Sequence, residues 1–289
     1  MPRLLIVNAD DLGLHEDINR GIYLAHTEGI VTSASVVACG AAFDHASTII
    51  QECAKLDVGV HLTLIEERPL CPATEIPSLV GPDGRFLPSY RHLTARILMG
   101  SVSPAEVRRE LRAQIARVIA TGCRPSHLDG HQHVHLLPPV WRVTTELARE
   151  FGIRWIRVPH FASLFRSPKS LFDPFFRLGL NILSAVTVSL TNGAEPKIRT
   201  PGLHLSGRLV EGDLLRIVAA LRPGISEIVA HPGIKTPALG ARYRWNYEWS
   251  TELAALTSPQ IISALRSNGV TLTRFSECQA DGPLPTGLC

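Results

Sequence analysis

Short apolar segments that resemble strands alternate with helix-like segments along nearly the whole chain. The strand candidates are Leu4 to Val7, Ser33 to Val37, Val58 to Leu64, Ser126 to Asp129, Trp155 to Val158, Glu227 to Ala230 and Val270 to Thr273. The helix candidates start near Asp17, Ser103, Val140, Glu211 and Ser258. End-to-end alternation favours a parallel sheet covered by helices, and about seven or eight units can close a ring of strands. We therefore expect an α/β fold with a mostly parallel sheet, arranged as a (β/α) barrel, regular or distorted, rather than an open sheet.

One helix start is predicted in detail. Ser103 is a suitable N-cap, Pro104 fits the first turn, and Glu106 is placed to complete a capping box. The same helix is expected to end near Ala120, because Gly122 follows it.

Two stretches interrupt the alternation. Residues 69–90 are rich in Pro and Gly and predict a long loop that could lie over the functional end of the sheet. Residues 161–201 form an apolar insert, whose apolar run is too short for a membrane span and contains Pro174 and Arg177. We expect a single domain, 1–289, that carries this insert.

Several polar residues stand at or just beyond the ends of predicted strands. They are Asp10, Asp11, His61, His131 and His231. The carboxyl ends of parallel strands meet at one face of such a fold, and this is where function is found. We therefore expect these side chains to come together although they are far apart in the sequence.

Histidine or aspartate occupies every second position of the segment HLDGHQHVH, at His127, Asp129, His131, His133 and His135. On an extended strand all five side chains would project to one face. Imidazoles and carboxylates that share a centre are the ligands of a divalent metal. A bend at Gly130 would let only some of the five reach the metal, and a polar strand end with hydrogen-bonded histidines is the structural alternative.

Adjacent aspartates at a strand end, Asp10 and Asp11, repel each other unless a cation or a proton intervenes. Their side chains diverge, so one could bind a metal while the other faces its water. His61 lies inside an apolar strand, and a lone strand histidine is more often a hydrogen-bonded core residue than a ligand. His231 follows a strand and precedes a turn, which suits either a catalytic acid or a neutral structural histidine.

Four segments together, LLIVNADDLG, GVHLTL, HLDGHQHVH and AHPG, resemble the YdjC-like carbohydrate deacetylases. The similarity extends in order over most of the chain. It implies a (β/α)-barrel-like fold, one divalent metal, and hydrolysis of the N-acetyl group of a sugar such as a chitooligosaccharide.

The resemblance also implies roles for individual residues. Asp11, His61 and His131 match the metal ligands, and Asp10 matches the base that takes a proton from the attacking water. His231 matches the acid of the wider polysaccharide deacetylases, which protonates the departing amine. The remaining motif residues, His127, Asp129, His133 and His135, are expected behind the ligands or in contact with substrate. Two imidazoles and one carboxylate favour zinc, although magnesium or another divalent ion is compatible with the family.

Within that family the chain is most similar to the subgroup associated with hopanoid biosynthesis, HpnK. The run through Ile30–Ala34 and the insert at 161–201 carry this similarity. The implied substrate is an N-acetylglucosaminyl hopanoid, with peripheral membrane contact through the insert. The insert could equally be core or a dimer contact. Other interpretations are a chitooligosaccharide deacetylase, a metal-dependent phosphoesterase and a non-catalytic lipid-sugar binding protein.

Charge and cysteine content limit the partners and the compartment. The formal net charge is only +3 and no basic block is present, which argues against nucleic acid. The six cysteines are scattered without a C-x-x-C pair, which is typical of reduced thiols in a cytoplasmic protein. The N-terminus has no secretory signal pattern, so we expect the protein in the cytoplasm or peripherally at the inner face of the membrane. A homodimer through an exposed barrel face is compatible with the sequence.

Overall fold

The computed structural model describes residues 1–159 and 198–278, together with the isolated helical positions Gly179, Ile182, Ala185 and Val186. The predicted insert at 161–201 therefore lies almost wholly outside the described residues. Of its described members, Ile182 and Val186 are exposed. None of the helices in the described part of the chain is long and apolar enough to cross a membrane.

Eight strands form one sheet, and every recorded pair is parallel. They are β1 (Arg3–Leu12), β2 (Ser33–Val36), β3 (Asp57–Leu62), β4 (His127–Gly130), β5 (Trp155–Ile156), β6 (Ile198–Arg199), β7 (Gly224–Ala230) and β8 (Val270–Leu272). The order is β5-β4-β3-β2-β1-β7-β6, and β8 pairs with β1. Between the end strands β5 and β6 no pairing exists among the described residues. The expected α/β, (β/α) barrel-like fold with a parallel sheet is confirmed, in a distorted form.

The distortion originates at β1, which has three partners. One edge of β1 pairs with β7 from Arg3 to Ala9. The other edge pairs first with β8, at Arg3 to Leu5, and then with β2, from Asn8 onward. Because β8 and β2 share one edge in succession, the ring of strands forks at this point instead of closing evenly.

Nine helices are described around the sheet. They are α1 (Glu16–Thr27), α2 (Phe43–Glu52), α3 (Tyr90–Leu98), α4 (Pro104–Ile119), α5 (Pro138–Glu150), α6 (Glu211–Ala220), α7 (Pro237–Arg242), α8 (Trp249–Leu256) and α9 (Pro259–Ser267). The predicted helices are confirmed as α1, α4, α5, α6 and α9. The sequence analysis did not predict α2, α3, α7 and α8. Helix α2 nevertheless buries Phe43, Ala46 and Ile50, which recur at helical spacing.

The predicted capping box of α4 is wrong. The side chain of Ser103 makes no capping hydrogen bond. Glu106 instead accepts a hydrogen bond from the backbone N–H of Ser78, at 2.7 Å, and so holds the 69–90 loop. Ser258, by contrast, does cap α9 by accepting from the N–H of Gln260, at 3.1 Å.

The two faces of β1 serve different purposes. Leu5, Val7 and Ala9 face the main hydrophobic core under the helices. The intervening residues face the interior of the sheet, where Ile6 packs on Phe275. Further along the strand this interior face becomes polar, with Asn8 and Asp10 joined by a 2.7 Å hydrogen bond. The period-two alternation of a strand thus carries polar groups toward its carboxyl end.

Candidate active site

The polar residues at the strand ends do come together. Asp10 and Asp11 lie in the last part of β1, His61 in β3 and Asp129 in β4. His131 follows β4 directly and His231 follows β7. All six are buried. The carboxyl end of the sheet is therefore a buried polar centre, as strand topology predicts.

Asp11, His61 and His131 form a set that fits a metal ion. Their potential ligand atoms all lie within 4.8 Å of one another. Asp11 Oδ1 is 3.5 Å from His61 Nε2 and 3.2 Å from His131 Nδ1. One carboxylate and two imidazoles are the three protein ligands of a common type of catalytic zinc site.

The charges within this set favour a cation. Burial raises the pKa of Asp11, but the hydrogen bond from His131 and the nearby histidines outweigh it and lower that pKa to about 2. Burial likewise opposes protonation of His131, yet hydrogen bonds to Asp11 and Glu66 raise its pKa to about 10. A divalent ion would therefore replace a proton at His131.

Asp129 orients His61 from behind. Its Oδ1 lies 2.8 Å from His61 Nδ1, which leaves His61 Nε2 directed at Asp11. A carboxylate on the far nitrogen of a histidine fixes the tautomer that binds a metal. Asp10, His61 and Asp129 also lie close enough to hold an ion. The Arg157 guanidinium already neutralises the two carboxylates of this second set, since it lies 2.7 Å from Asp10 and 2.6 Å from Asp129. The second set is therefore a poor cation site.

Arg157, which the sequence analysis missed, is the central cation of the site. It contacts both oxygens of Asp10, at 2.7 and 2.9 Å, and its Nε lies 2.8 Å from Glu227. Burial raises the pKa of Glu227 to about 7, although Arg157 opposes that shift. Arg157 follows β5, so the strand-end rule that selected the histidines would also have selected it.

The segment HLDGHQHVH does not continue as an extended strand, and the bend considered at Gly130 occurs. β4 ends at Gly130, and His131–Leu136 is a short 3₁₀ helix. Gln132 and His133 within it adopt left-handed φ values of 48° and 58°. Only His131 of these residues joins Asp11 and His61, because the chain turns back immediately after it.

The other three histidines of the motif are buried away from the metal set. His127 stacks on Phe275 at 4.0 Å and contacts Ser35 and Ser126. His135 Nε2 donates to the carbonyl of Arg157 at 2.8 Å. Burial lowers the pKa of His127 and of His135 to about 4 each, and it also holds the pKa of His133 well below the usual value. These rings are neutral near pH 7 and support the centre from behind.

His231 lies near Oδ2 of Asp11, whereas His61 and His131 lie near Oδ1. Its Nε2 is 4.0 Å from Asp11 Oδ2, and its Nδ1 is 3.1 Å from Ser206 Oγ. Its backbone N–H donates to the buried carboxylate of Glu252. Ser206 and Glu252 thus fix the ring so that Nε2 faces the centre.

Glu66 and an aromatic segment complete the centre, and the sequence analysis missed both. Glu66 Oε2 is 3.3 Å from His131 Nε2, and Gln132 donates to its Oε1 at 2.9 Å. The 69–90 loop, mostly irregular as predicted, returns beside Glu66, where Arg85 donates to its carbonyl. The rings of Trp245 and Tyr247 lie 5.2 Å from His131 and 4.8 Å from His231.

Backbone strain is concentrated at this centre. In the described part of the chain, five non-glycine residues have positive φ: Asp11, Glu66, Gln132, His133 and Asn246. Each belongs to the centre or to a segment that lines it. Such conformations cost about 1–3 kcal/mol each and persist where the surroundings enforce them, which is common at functional sites.

Comparison with known proteins gives one consistent family. Residues 4–267 match the model of the family described as YdjC-like protein. A carbohydrate deacetylase of Brevibacillus brevis is 33% identical over 276 residues, which cover 94% of this chain and 98% of the relative. A chitooligosaccharide deacetylase of Yersinia pseudotuberculosis is 31% identical over 282 residues, covering 96% of this chain and 100% of the relative. A crystal structure of an Enterococcus faecalis protein, named for cellobiose-phosphate cleavage, has a TM-score of 0.75 at 25% identity and covers 96% of this chain and 98% of its own.

Proposed function

The chain belongs to the family of YdjC-like proteins, and from this membership and the geometry we propose that it is a metal-dependent hydrolase that removes the acetyl group of an N-acetylated amino sugar. One observation carries the proposal: a buried metal-type set, Asp11, His61 and His131, has Asp10 beside His61 and His231 beside Asp11. Relatives that cover nearly the whole chain are carbohydrate deacetylases.

One divalent ion would be held by Asp11, His61 and His131. When bound, it supplies Lewis acidity, which makes a water acidic and polarises a carbonyl group. Two imidazoles and one carboxylate suit zinc better than magnesium, which prefers a shell of oxygen ligands.

Asp10 is the proposed base. Asn8 and Arg157 hold its Oδ1, and Arg157 alone holds its Oδ2. A carboxylate oxygen has two lone pairs, so Oδ2 keeps one that can take the proton of the attacking water. Arg157 thus orients the base without blocking it.

His231 is the proposed acid. As the C–N bond of the acetamide breaks, His231 Nε2 gives its proton to the departing amine, while the water's oxygen stays on the acetyl carbon as acetate. Ser206 at Nδ1 and Glu252 at the backbone N–H keep Nε2 directed toward the centre. Glu66, at the mouth of the same centre, orients His131.

For the substrate we propose the N-acetylglucosaminyl hopanoid of the HpnK subgroup. The similarity at Ile30–Ala34 and the apolar insert at 161–201 support it. On this proposal the protein contacts the membrane peripherally from the cytoplasm, through the insert. The name of the Yersinia relative favours a chitooligosaccharide as the second candidate. The single-domain organisation and a homodimer stay predictions.

The geometry disfavours the two rival functions. A phosphoesterase of this type commonly uses two metals about 3.5–4 Å apart. Within residues 1–159 and 198–278 a second potential set exists, but Arg157 neutralises two of its three members. A non-catalytic sugar-binding protein has no need of a base and an acid next to the metal set.

The deciding experiment measures acetate and free amine released from an N-acetylglucosaminyl hopanoid and from chitobiose. Metal-loaded and chelated protein are compared. Metal-dependent release from the lipid alone supports the proposed substrate, and release from chitobiose alone moves the substrate to the second candidate. No acetate from either substrate, with metal bound, overturns the deacetylase proposal.

A further inference from the structure

Aromatic residues at every second position from Tyr243 to Trp249 form a wall along the centre. The outer two, Tyr243 and Trp249, are each only 3% exposed and anchor the segment in the core. The inner two, Trp245 and Tyr247, are partly exposed. Each inner ring lies against a histidine of the centre, Trp245 against His131 and Tyr247 against His231.

Both ends of this segment are held firmly. At the first end, the buried carboxylate of Glu67 binds Arg242 at 2.8 and 2.9 Å and accepts from the Tyr243 hydroxyl at 3.0 Å. At the second end, Trp249 packs on Gly233, where an added Cβ would meet the Trp249 side chain at 3.1 Å. The carbonyl of Trp249 also accepts a hydrogen bond from the Gly233 N–H, at 3.2 Å.

Asn246, between the two inner rings, has a φ of 58°. Asparagine is one of the few residues with a Cβ that adopt the left-handed conformation readily. Asn246 is one of the five such residues that gather around the centre. The left-handed turn at Asn246 thus lies between the two rings that face the centre.

We propose that Trp245 is the platform on which the pyranose ring carrying the acetamide lies. This inference rests on the proposed function and specifies how the sugar is recognised. An amino sugar with equatorial substituents presents C–H groups on its ring faces. An indole face is large and carries negative quadrupole density, so it gains from both apolar burial and attraction to those C–H groups.

The position of Trp245 matches this task. Its ring centre is 5.2 Å from that of His131, with the planes tilted by 46°. A sugar against the indole would therefore have a ring substituent within reach of the metal set, between Asp10 and His231. Trp245 selects cyclic substrates over open-chain acetamides, because an open chain offers no flat face to the indole.

The test compares Trp245→Ala and Trp245→Phe with the wild type, on chitobiose or the N-acetylglucosaminyl lipid and on the acyclic N-acetylethanolamine. For the sugar, we expect Trp245→Ala to raise KM about tenfold with little change in kcat, and Trp245→Phe to lie between. For N-acetylethanolamine, kcat/KM stays at the wild-type value. Tyr23→Ala, at an exposed aromatic on α1, is the matched control and leaves both substrates unaffected.

Two outcomes overturn the inference while the deacetylase proposal stands. One is an unchanged KM for the sugar, and the other is an equal loss on both substrates together with lost metal, which would mean that Trp245 only supports His131. If the wild type releases no acetate at all, the proposed function fails. The platform is then judged by titrating chitobiose against tryptophan fluorescence, and a response that persists in Trp245→Phe overturns it.

Discussion

Arg157 is the residue on which the charges of the centre converge. Its guanidinium contacts Asp10, Asp129 and Glu227, and its carbonyl accepts from His135. One buried cation among three carboxylates leaves the group under strong mutual repulsion. Removing one partner from such a buried network destabilises the folded protein far more than forming the intact network stabilises it. The site is therefore best tested with substitutions that keep the shape of a side chain and exchange one oxygen for nitrogen, rather than by removing Arg157.

Asp10→Asn tests the proposed base. It keeps the shape of the side chain and leaves Asp11, His61 and His131 untouched, but it removes the lone pair and charge that accept the proton. We expect kcat for acetate release to fall by about 10²–10⁴-fold, with metal content unchanged. Rates and bound metal are measured on the same preparation. A variant with near wild-type kcat would show that another group takes the proton.

Glu227→Gln tests the electrostatics beneath the base. Burial raises the pKa of Glu227 from 4.5 to about 7, so folding favours its protonated form. The stability this supplies is complete below pH 4.5 and is lost as the pH rises through 7. Glutamine is neutral throughout, so the variant should gain stability relative to the wild type over that interval, by up to about 3 kcal/mol.

Urea unfolding of both proteins at several pH values between 4.5 and 7.5 measures this difference. Glu28→Gln, at the exposed end of α1, is the control and should show a flat difference. A flat difference for Glu227→Gln as well would mean that Arg157 keeps this carboxyl ionised at all these pH values.

The strand-end rule applied to the sequence located Asp10, Asp11, His61, His131 and His231, because each follows or ends an apolar run. Arg157 obeys the same rule, but an arginine is not a metal ligand, so a search for ligand types does not select it. Glu66 and Trp245 could not be found this way. They reach the centre through left-handed backbone at Glu66 and Asn246, and a sequence does not display a positive φ at a non-glycine residue.

Among the elements, the junction of β4 with the 3₁₀ helix decides which histidines reach the metal set. Alternation in HLDGHQHVH is compatible with a strand throughout, but β4 pairs with β3 only from Leu128 to Gly130, close to the predicted strand end at Asp129. At Gly130 an added Cβ would meet His135 Nδ1 at 2.6 Å, so the chain folds back onto its own strand. The local pattern is the same for a strand and for this turn, and tertiary packing selects the turn.

Gly59→Ala tests how tightly β3 and β4 pack beneath the centre. A Cβ at Gly59 would meet the His127 ring at 2.3 Å, and that ring is held by Ser35, Ser126 and Phe275. We expect a loss of about 1–3 kcal/mol in the free energy of unfolding. The control is Gly212→Ala in α6, where a Cβ meets nothing within 4 Å, and it should be neutral or slightly stabilising. Equal stability of the two variants would contradict this packing.

For the whole molecule, seven of the eight strands and their parallel direction were predictable, since each strand candidate recurs in the sheet. The fork at β1 was not predictable. One edge of β1 pairs with both β8 and β2, and this depends on where these two strands, which are distant in the sequence, begin and end. The strand β6, of two residues, is too short for any periodicity to show. The cysteines in the described part of the chain are free thiols, as expected.

Metal removal tests how far the centre holds the whole fold together. Asp11, His61 and His131 belong to β1, to β3 and to the turn after β4, so an ion bound to them links three parts of the chain. An ion that binds only the folded state stabilises it by about 4 kcal/mol at a concentration 1,000 times its Kd. For a protein of this size we expect chelation to lower Tm by on the order of 10 °C.

Calorimetry with and without a chelator measures the shift, with His61→Ala and the exposed His92→Ala as matched variants. His92→Ala should keep the full shift. His61→Ala starts from a lower Tm, because Asp129 loses one of its hydrogen-bond partners, and it should show almost no further decrease on chelation. A full shift that persists in His61→Ala would place the stabilising ion elsewhere in the protein, and the link between the carboxyl ends of β1, β3 and β4 would then have to come from Arg157 and its carboxylates alone.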